Sequence, residues 1–415
     1  VASWKRTLTI MFIAQLLSAV GFSMIFPFLP NFVESLGSSL GLNLVFMAGA
    51  VFSVQGITLM IAAPIWGAVA DRFGRKPMVQ RALLGGAIII LLMGFAHSAE
   101  ELLLLRAVQG LITGVVSASN ALVASVAPRE RTGYAMGALQ TALWSGVAFG
   151  PILGGILADS FGYRAAFIVT AVLLLFGGAL VQFGVHEDFE PASRGRHLRS
   201  VTKDWHHILT TPIVRSVLLA RFTAWLGRGI LVPVLPLFMP LLVLDAGRVG
   251  TFTGLIIGVA SATGTVSALI LSSLGDRIGH RPILMASSLA AALAYAPMGL
   301  VTNVWQLLVL NALAGIAIGG VMPSLSALLT RQTTRAEIGS AFGLDSATIA
   351  ASRAVAPLIG VGIVSLVATF ATQELGYRAT FFAGTVLFLG TLLVVGWLLP
   401  EGAEEKREVV TGVAD

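Results

Sequence analysis

The chain has no cysteine, six histidines and very little charge. Without cysteine there is no disulfide framework, thiolate metal site or cysteine nucleophile. None of the histidines (His97, His186, His197, His206, His207 and His280) has metal-ligand spacing with a carboxylate partner. The patterns GxxxxGK[ST] and GxSxG are missing, which argues against a P-loop ATPase and a serine hydrolase of that type. The reading is therefore of a non-enzyme with no cofactor and no metal. Charged residues make up 11% of the 415 positions, against about 25% in soluble proteins. That is too little charge to clothe a soluble core of this size. With 56% hydrophobic residues, the chain must have a bilayer as its solvent. The net charge of +6 does not point to nucleic acid, because the basic residues sit in short loops between apolar runs.

Twelve apolar stretches are each long enough to cross a hydrocarbon core, which takes about 20 residues. They lie near 8–30, 43–70, 78–96, 100–127, 132–157, 163–184, 213–238, 249–274, 283–302, 305–329, 338–368 and 378–399, and are called spans 1 to 12. The first follows Trp4-Lys5-Arg6 like a signal peptide. It is too long for one and lacks a small-residue cleavage site, so it reads as a retained helix. Eighteen Lys and Arg fall in one set of loops, from Lys5 and Arg72 to Lys406 and Arg407, and only Arg164, Arg248 and Arg378 in the other. The positive-inside rule then puts both termini in the cytoplasm of a cell-membrane protein.

The longest polar segment is HEDFEPASRGRHLRSVTKDWHHILTT, residues 186–211. It reads as a cytoplasmic linker between two six-span halves, 1–185 and 212–415. Val201, Trp205, Ile208 and Leu209 recur within it at helical spacing, so part of it would lie on the membrane surface; a solvated linker is the alternative. The halves align with each other. Asp71, Arg72, Gly74 and Pro77 match Asp276, Arg277, Gly279 and Pro282; LLLLRAVQG (102–110) matches LLVLNALAG (307–315); Pro151 matches Pro357; and GYRAAF (162–167) matches GYRATF (376–381). Such duplication is expected of a transporter built from two halves around a midplane site.

Three motifs carry a family resemblance: Gly67-x3-Asp71-Arg72-x-Gly74-Arg75-Lys76, Arg106-x2-Gln109-Gly110, and Gly146-x3-Gly150-Pro151-x2-Gly154-Gly155. With the opening WKRTL…PFLPNFVESLG (4–37), they resemble the major facilitator superfamily, most closely its 12-span drug:proton antiporter branch and the MdtG-type multidrug resistance proteins. The resemblance implies an all-α polytopic fold with 12 transmembrane helices in two pseudo-symmetric six-helix halves. It places Asp71 against the start of span 11, near Gly339, where a helix N-terminus favours a carboxylate by about 0.3–2 kcal/mol. That contact would gate the cytoplasmic side. Gly74 would permit the tight turn, and Arg75 and Lys76 would pin the loop to lipid phosphates or Glu130. Asp276 and Arg277 are the second copy. Gly146, Gly150 and Gly154 make a bare stripe beside Pro151, and span 8 carries Gly250, Gly254 and Gly258. Both stripes fall in the half of their helix away from the cytoplasm and are expected to pack on one another as an outer gate.

Five ionisable residues lie inside spans: Arg106, Arg221, Arg228, Asp345 and Arg353. A charge at the bilayer centre costs at least about 2.5–3.5 kcal/mol and needs a reason. Asp345, the single carboxylate well inside a span, lies about 10 Å deep at roughly 1.5 Å per residue. Arg221 reaches a similar depth, and pairing between them is expected. Four arginines against one aspartate favour neutral, zwitterionic or anionic amphiphiles over strongly cationic ones. Gln15, Trp144 and Trp225 are the uncharged candidates for the substrate cavity. The functional expectation is a monomeric secondary exporter of small amphiphiles by alternating access, coupled to protons and embedded in membrane lipid. A lipid, lysolipid or organic-anion transporter of the same fold and a non-transporting receptor are the alternatives.

Overall fold

The computed structural model describes residues 4–128, 131–187, 210–333 and 338–399, apart from the side chains at 68, 71, 338 and 339. Every regular element among them is helical. The proposed linker, Glu130 and the C-terminal tail lie outside the described residues, except for residues 186–187 and 210–211 at the two ends of the linker.

Several spans are not single rods. Span 1 comprises Trp4–Met24 and Leu29–Leu36, separated by a turn at Pro27. Span 7 is likewise Pro212–Gly229 followed by Val234–Phe238. Span 3 runs over Lys76–Met93 with a π-helical turn at Arg81–Gly85, so Arg81, counted above with the loop residues, sits inside the span. Span 4 breaks between Ala99–Ile112 and Val115–Val126, where Gly114 adopts φ +128. A broken helix in a membrane must cover its freed carbonyls. Here the indole Nε1 of Trp66 donates to the Leu111 carbonyl at 2.6 Å and Arg81 donates to the Thr113 carbonyl at 3.5 Å. Arg81 also stacks over the Trp66 ring, 3.7 Å from its centroid.

The remaining spans are Leu44–Phe73, Thr132–Phe161, Tyr163–Gly184, Val249–Ile278, His280–Met298, Val304–Arg331, Ile338–Ala368 and Gln373–Leu398. Eleven of the spans are long and apolar enough to cross a membrane by length and composition. Span 9 falls short of that mark because it opens on His280-Arg281-Pro282 and is rich in alanine and serine.

The sequence repeats reappear as repeated structure. Gly74 and Gly279 both turn the chain after a long helix with positive φ, 98 and 100, a conformation glycine adopts without steric cost. Spans 4 and 10 both start with a capping box. Ser98 accepts from Glu101 N–H while Glu101 accepts from His97 N–H; Asn303 accepts from Gln306 N–H while Gln306 accepts from Thr302 N–H. The GYRxxF motifs each pack rings on the bent end of another span: Tyr163 and Phe167 on Phe28, Tyr377 and Phe381 on Phe238.

Helix pairing repeats as well. Span 1 packs on 5 and 6, span 2 on 4, span 3 on 6; span 7 packs on 11 and 12, span 8 on 10, span 9 on 12. The main contacts between the first six and last six spans are 5 with 8, 2 with 11, and the bent ends of 1 and 7.

Candidate functional site

Two ends can be distinguished: the near side, which carries Trp4, and the far side, where spans 1 and 7 bend. On the far side span 5 meets span 8 at backbone distance. A methyl group at Gly254 would overlap the Pro151 carbonyl, one at Gly155 the Gly250 carbonyl, and one at Gly258 would come within 2.7 Å of the Ala148 carbonyl. The Asp159 carboxylate accepts from the N–H groups of Gly250 and Thr251 at 3.0 and 2.6 Å, capping the N-terminus of span 8. Span 2 approaches span 11 in the same way, with Gly49 against Pro357 and Val361 and Gly56 against Ala354.

The expected stripe-to-stripe gate needs one correction. Gly146, Gly150 and Gly154 face span 1, against Ala19, Val20, Ser23 and Met24, and the Ser23 hydroxyl donates to the Gly146 carbonyl at 3.0 Å. Residues four apart share one helix face, so this stripe is taken up by span 1. The neighbouring face, with Ala148, Pro151, Ile152 and Gly155, is the one that meets span 8.

On the near side, Gly67 has open space around it among the described residues, and Arg72 lies over the Phe73 ring at 5.4 Å. The backbone N–H groups of Arg75 and Lys76 donate to the Glu187 carboxylate at 2.7–3.0 Å, and Lys76 Nζ donates to the Gln182 carbonyl. The loop is thus tied to the end of span 6. The Asp71 side chain lies outside what is described, so its expected contact with the start of span 11 near Gly339 is not among the described contacts. In the second copy, Asp276 pairs with buried His280 at 3.2 Å, not with a helix terminus, and Arg277 is exposed.

The ionisable residues inside the spans fall into three groups. Arg106 is buried; its Nε donates to the Val51 carbonyl at 3.2 Å and Nη1 to Gln109 Oε1 at 2.7 Å, with Phe52 beneath it at 5.4 Å. Arg221 and Asp345, both buried, meet at 2.8 Å. Arg221 also donates to the Met322 carbonyl at 3.3 Å and to the Ser326 hydroxyl at 2.8 Å, so three spans (7, 10 and 11) are joined by one guanidinium. Arg228 and Arg353 lie 5.9 and 5.8 Å from the centroid of the Trp225 ring. The Trp225 Nε1 is buried and unpartnered among the described residues. Gln15 is buried with its Oε1 unpaired among the described residues, and Trp144 is exposed. Neither is joined to these groups by any described hydrogen bond or ring contact.

Sequence reasoning missed Asp159, Glu187, Ser326 and the Trp66–Arg81 pair. Asp159 carried a usable signal. A carboxylate at the C-terminal end of a helix opposes that helix's dipole, so it calls for an N-terminus of another element. Glu187, by contrast, stood at the edge of a long polar run, with nothing to single it out.

The sequence profile of the Major Facilitator Superfamily matches residues 11–271 and again 217–413. Multidrug resistance protein MdtG of Salmonella dublin is 36% identical over 391 residues, covering 93% of this chain and 94% of the relative. MdtG of Enterobacter lignolyticus is 35% identical, covering 95% and 92%. A bacterial homologue of the human lysosomal transporter Spinster superposes with a TM-score of 0.78 at 13% identity, covering 96% of this chain and 98% of that one. The nucleoside transporter NupG gives 0.75 at 12%, covering 95% and 100%. Twin profile matches, a duplicated helical architecture and relatives that align nearly end to end agree: this chain belongs to the Major Facilitator Superfamily of multi-pass membrane transporters and is not an enzyme.

Proposed function

We propose that the chain is a secondary exporter of small amphiphilic compounds that works by alternating access and is driven by proton antiport. The halves 1–185 and 212–415 would rock about a midplane site, joined by 186–211, with both termini cytoplasmic. The loop charge bias, 17 to 3 once Arg81 is placed inside span 3, supports that orientation, and the relationship to multidrug resistance proteins supports export. On this reading the described conformation, in which spans 5 and 8 touch on the far side, is closed toward the outside.

The observation that carries proton coupling is the buried Arg221–Asp345 pair. A carboxylate that gains and loses an arginine between two states binds and releases a proton in step with the cycle. The pair bridges spans 7 and 11, and span 11 is also a contact to the first six spans through span 2, so movement of one half is felt there. The test is transport in proteoliposomes with an imposed pH gradient over a small compound panel. Asp345→Asn should abolish uphill accumulation and leave downhill exchange. Uphill pumping by this variant would move the coupling site elsewhere, with exposed Glu34 the next carboxylate to examine.

A further inference from the structure

Among the four arginines that the sequence singles out inside spans, two are held by hydrogen bonds to protein and two are not. Arg106 is tied to Val51 and Gln109, and Arg221 to Asp345, Met322 and Ser326. Arg228 and Arg353 make no hydrogen bond or ion pair among the described residues; what they share is the neighbourhood of the Trp225 ring. Two like charges brought to one indole repel each other, and a cation at this depth is costly without an anion.

Arg353 is at the midpoint of Ile338–Ala368, fifteen residues from either end, yet it is exposed. It does not face lipid. Ser352 beside it donates to the Phe222 carbonyl of span 7 at 3.2 Å, and Ala354 on its other side meets Gly56 of span 2 at 3.5 Å. Arg353 therefore projects between spans 7 and 2, into the space between the first six and last six spans. Arg228, half-buried, reaches the same ring from span 7, and the Trp225 N–H is buried and unpartnered among the described residues.

We infer that Arg228, Arg353 and Trp225 form an oxyanion subsite: the transported compound carries a carboxylate, phosphate, phosphonate or sulfonate that both guanidinium groups hold, with an apolar body against the indole. Guanidinium forks suit such oxygens bidentately, and the apolar ring supplies the amphiphile's other half. The subsite rests on the transporter reading above and names its substrate class. It is separate from the Arg221–Asp345 pair, which lies seven residues nearer the start of span 7 and has its charge already matched.

The test uses the full chain in phosphatidylcholine nanodiscs and two probes of one shape, 1-pyrenebutyrate and 1-pyrenebutanol, followed by energy transfer from tryptophan. The wild type should bind the carboxylate at least about tenfold more tightly than the alcohol, the contribution of one charge-assisted hydrogen bond. Arg228→Gln and Arg353→Gln should each erase most of that preference while alcohol binding stays within about twofold, and Arg353→Lys should retain part of it. Equal affinity of the wild type for both probes, or an unchanged preference in both glutamine variants, overturns the subsite. Competition by inorganic phosphate would identify a small soluble anion. Loss of probe binding in phosphatidylglycerol nanodiscs, absent in Arg353→Gln, would identify a lipid headgroup. Either supports the shared chemistry. Failure of the transporter reading looks different: proteoliposomes would move nothing while the arginine-dependent preference persisted.

Discussion

Asp159→Asn should release the far side of the molecule. The wild-type carboxylate accepts two N–H groups at the start of span 8, at 3.0 and 2.6 Å. A hydrogen bond to a charged group contributes about 1.5–3 kcal/mol and a neutral one about 0.5–1.5 kcal/mol. Asparagine keeps the shape but has one acceptor oxygen where the carboxylate uses two. One bond becomes neutral, at a cost of about 1 kcal/mol, and the other is lost as the amide NH2 faces an N–H, at a cost of about 1.5–3 kcal/mol; the helix terminus adds about 0.3–1 kcal/mol. Asp159 is only half-buried, so screening by water favours the lower end, about 2.8 kcal/mol, or roughly a hundredfold rise in the ratio of far-side-open to far-side-closed molecules. The chain has no native cysteine, so spin labels at Phe161→Cys and Leu244→Cys, two exposed far-side positions, report one distance alone. Asp245→Asn is the control, because Asp245 bonds within its own turn, to Gly247 and Arg248. A wide-distance population that grows for Asp159→Asn and not for Asp245→Asn is expected. Identical distributions in the two variants would refute the latch.

Two glycine experiments separate the faces of span 5. Gly254→Leu intrudes on the Pro151 carbonyl and should open the same labelled distance while the melting temperature falls little; Gly150→Leu intrudes on Val20 and Ser23 of span 1 and should chiefly lower the melting temperature. Gly114→Ala imposes a side chain at φ +128, a cost of about 1–2 kcal/mol, and should lower thermal stability without changing the far-side distance distribution.

The fold was legible because its signals are long. Apolar runs of bilayer length, loops with one-sided charge and a duplicated glycine knot each repeat many times, so local errors cancel. What was hard to read was direction around a helix. Gly146, Gly150 and Gly154 announce a close-packed face, but the partner depends on which neighbour sits there, and span 1 takes it because span 8 meets the face one residue further on. Depth was readable for Arg221 and Asp345, which enter their helices from the same side. The third partner, Ser326, is one of two serines two residues apart in span 10, and nothing in sequence distinguishes it from Ser324. The break in span 4 was hidden because Thr113-Gly114 is as apolar in context as the residues around it, and its stabilising groups, Trp66 and Arg81, come from other spans.

That break bears on how the protein is made. The first piece of span 4, Ala99–Ile112, is about 21 Å long at 1.5 Å per residue, shorter than a hydrocarbon core of about 30 Å. It cannot settle across a bilayer as a self-contained helix, since two carbonyls at the kink need outside donors. Trp66 and Arg81, which supply them, lie upstream in the chain. A ribosome delivering this sequence from its N-terminus places both donors in the membrane before span 4 emerges, so the order of synthesis is also the order in which the kink can be accepted. Span 10, its counterpart in the repeat, runs unbroken from Val304 to Arg331 and carries no such dependence on what came before.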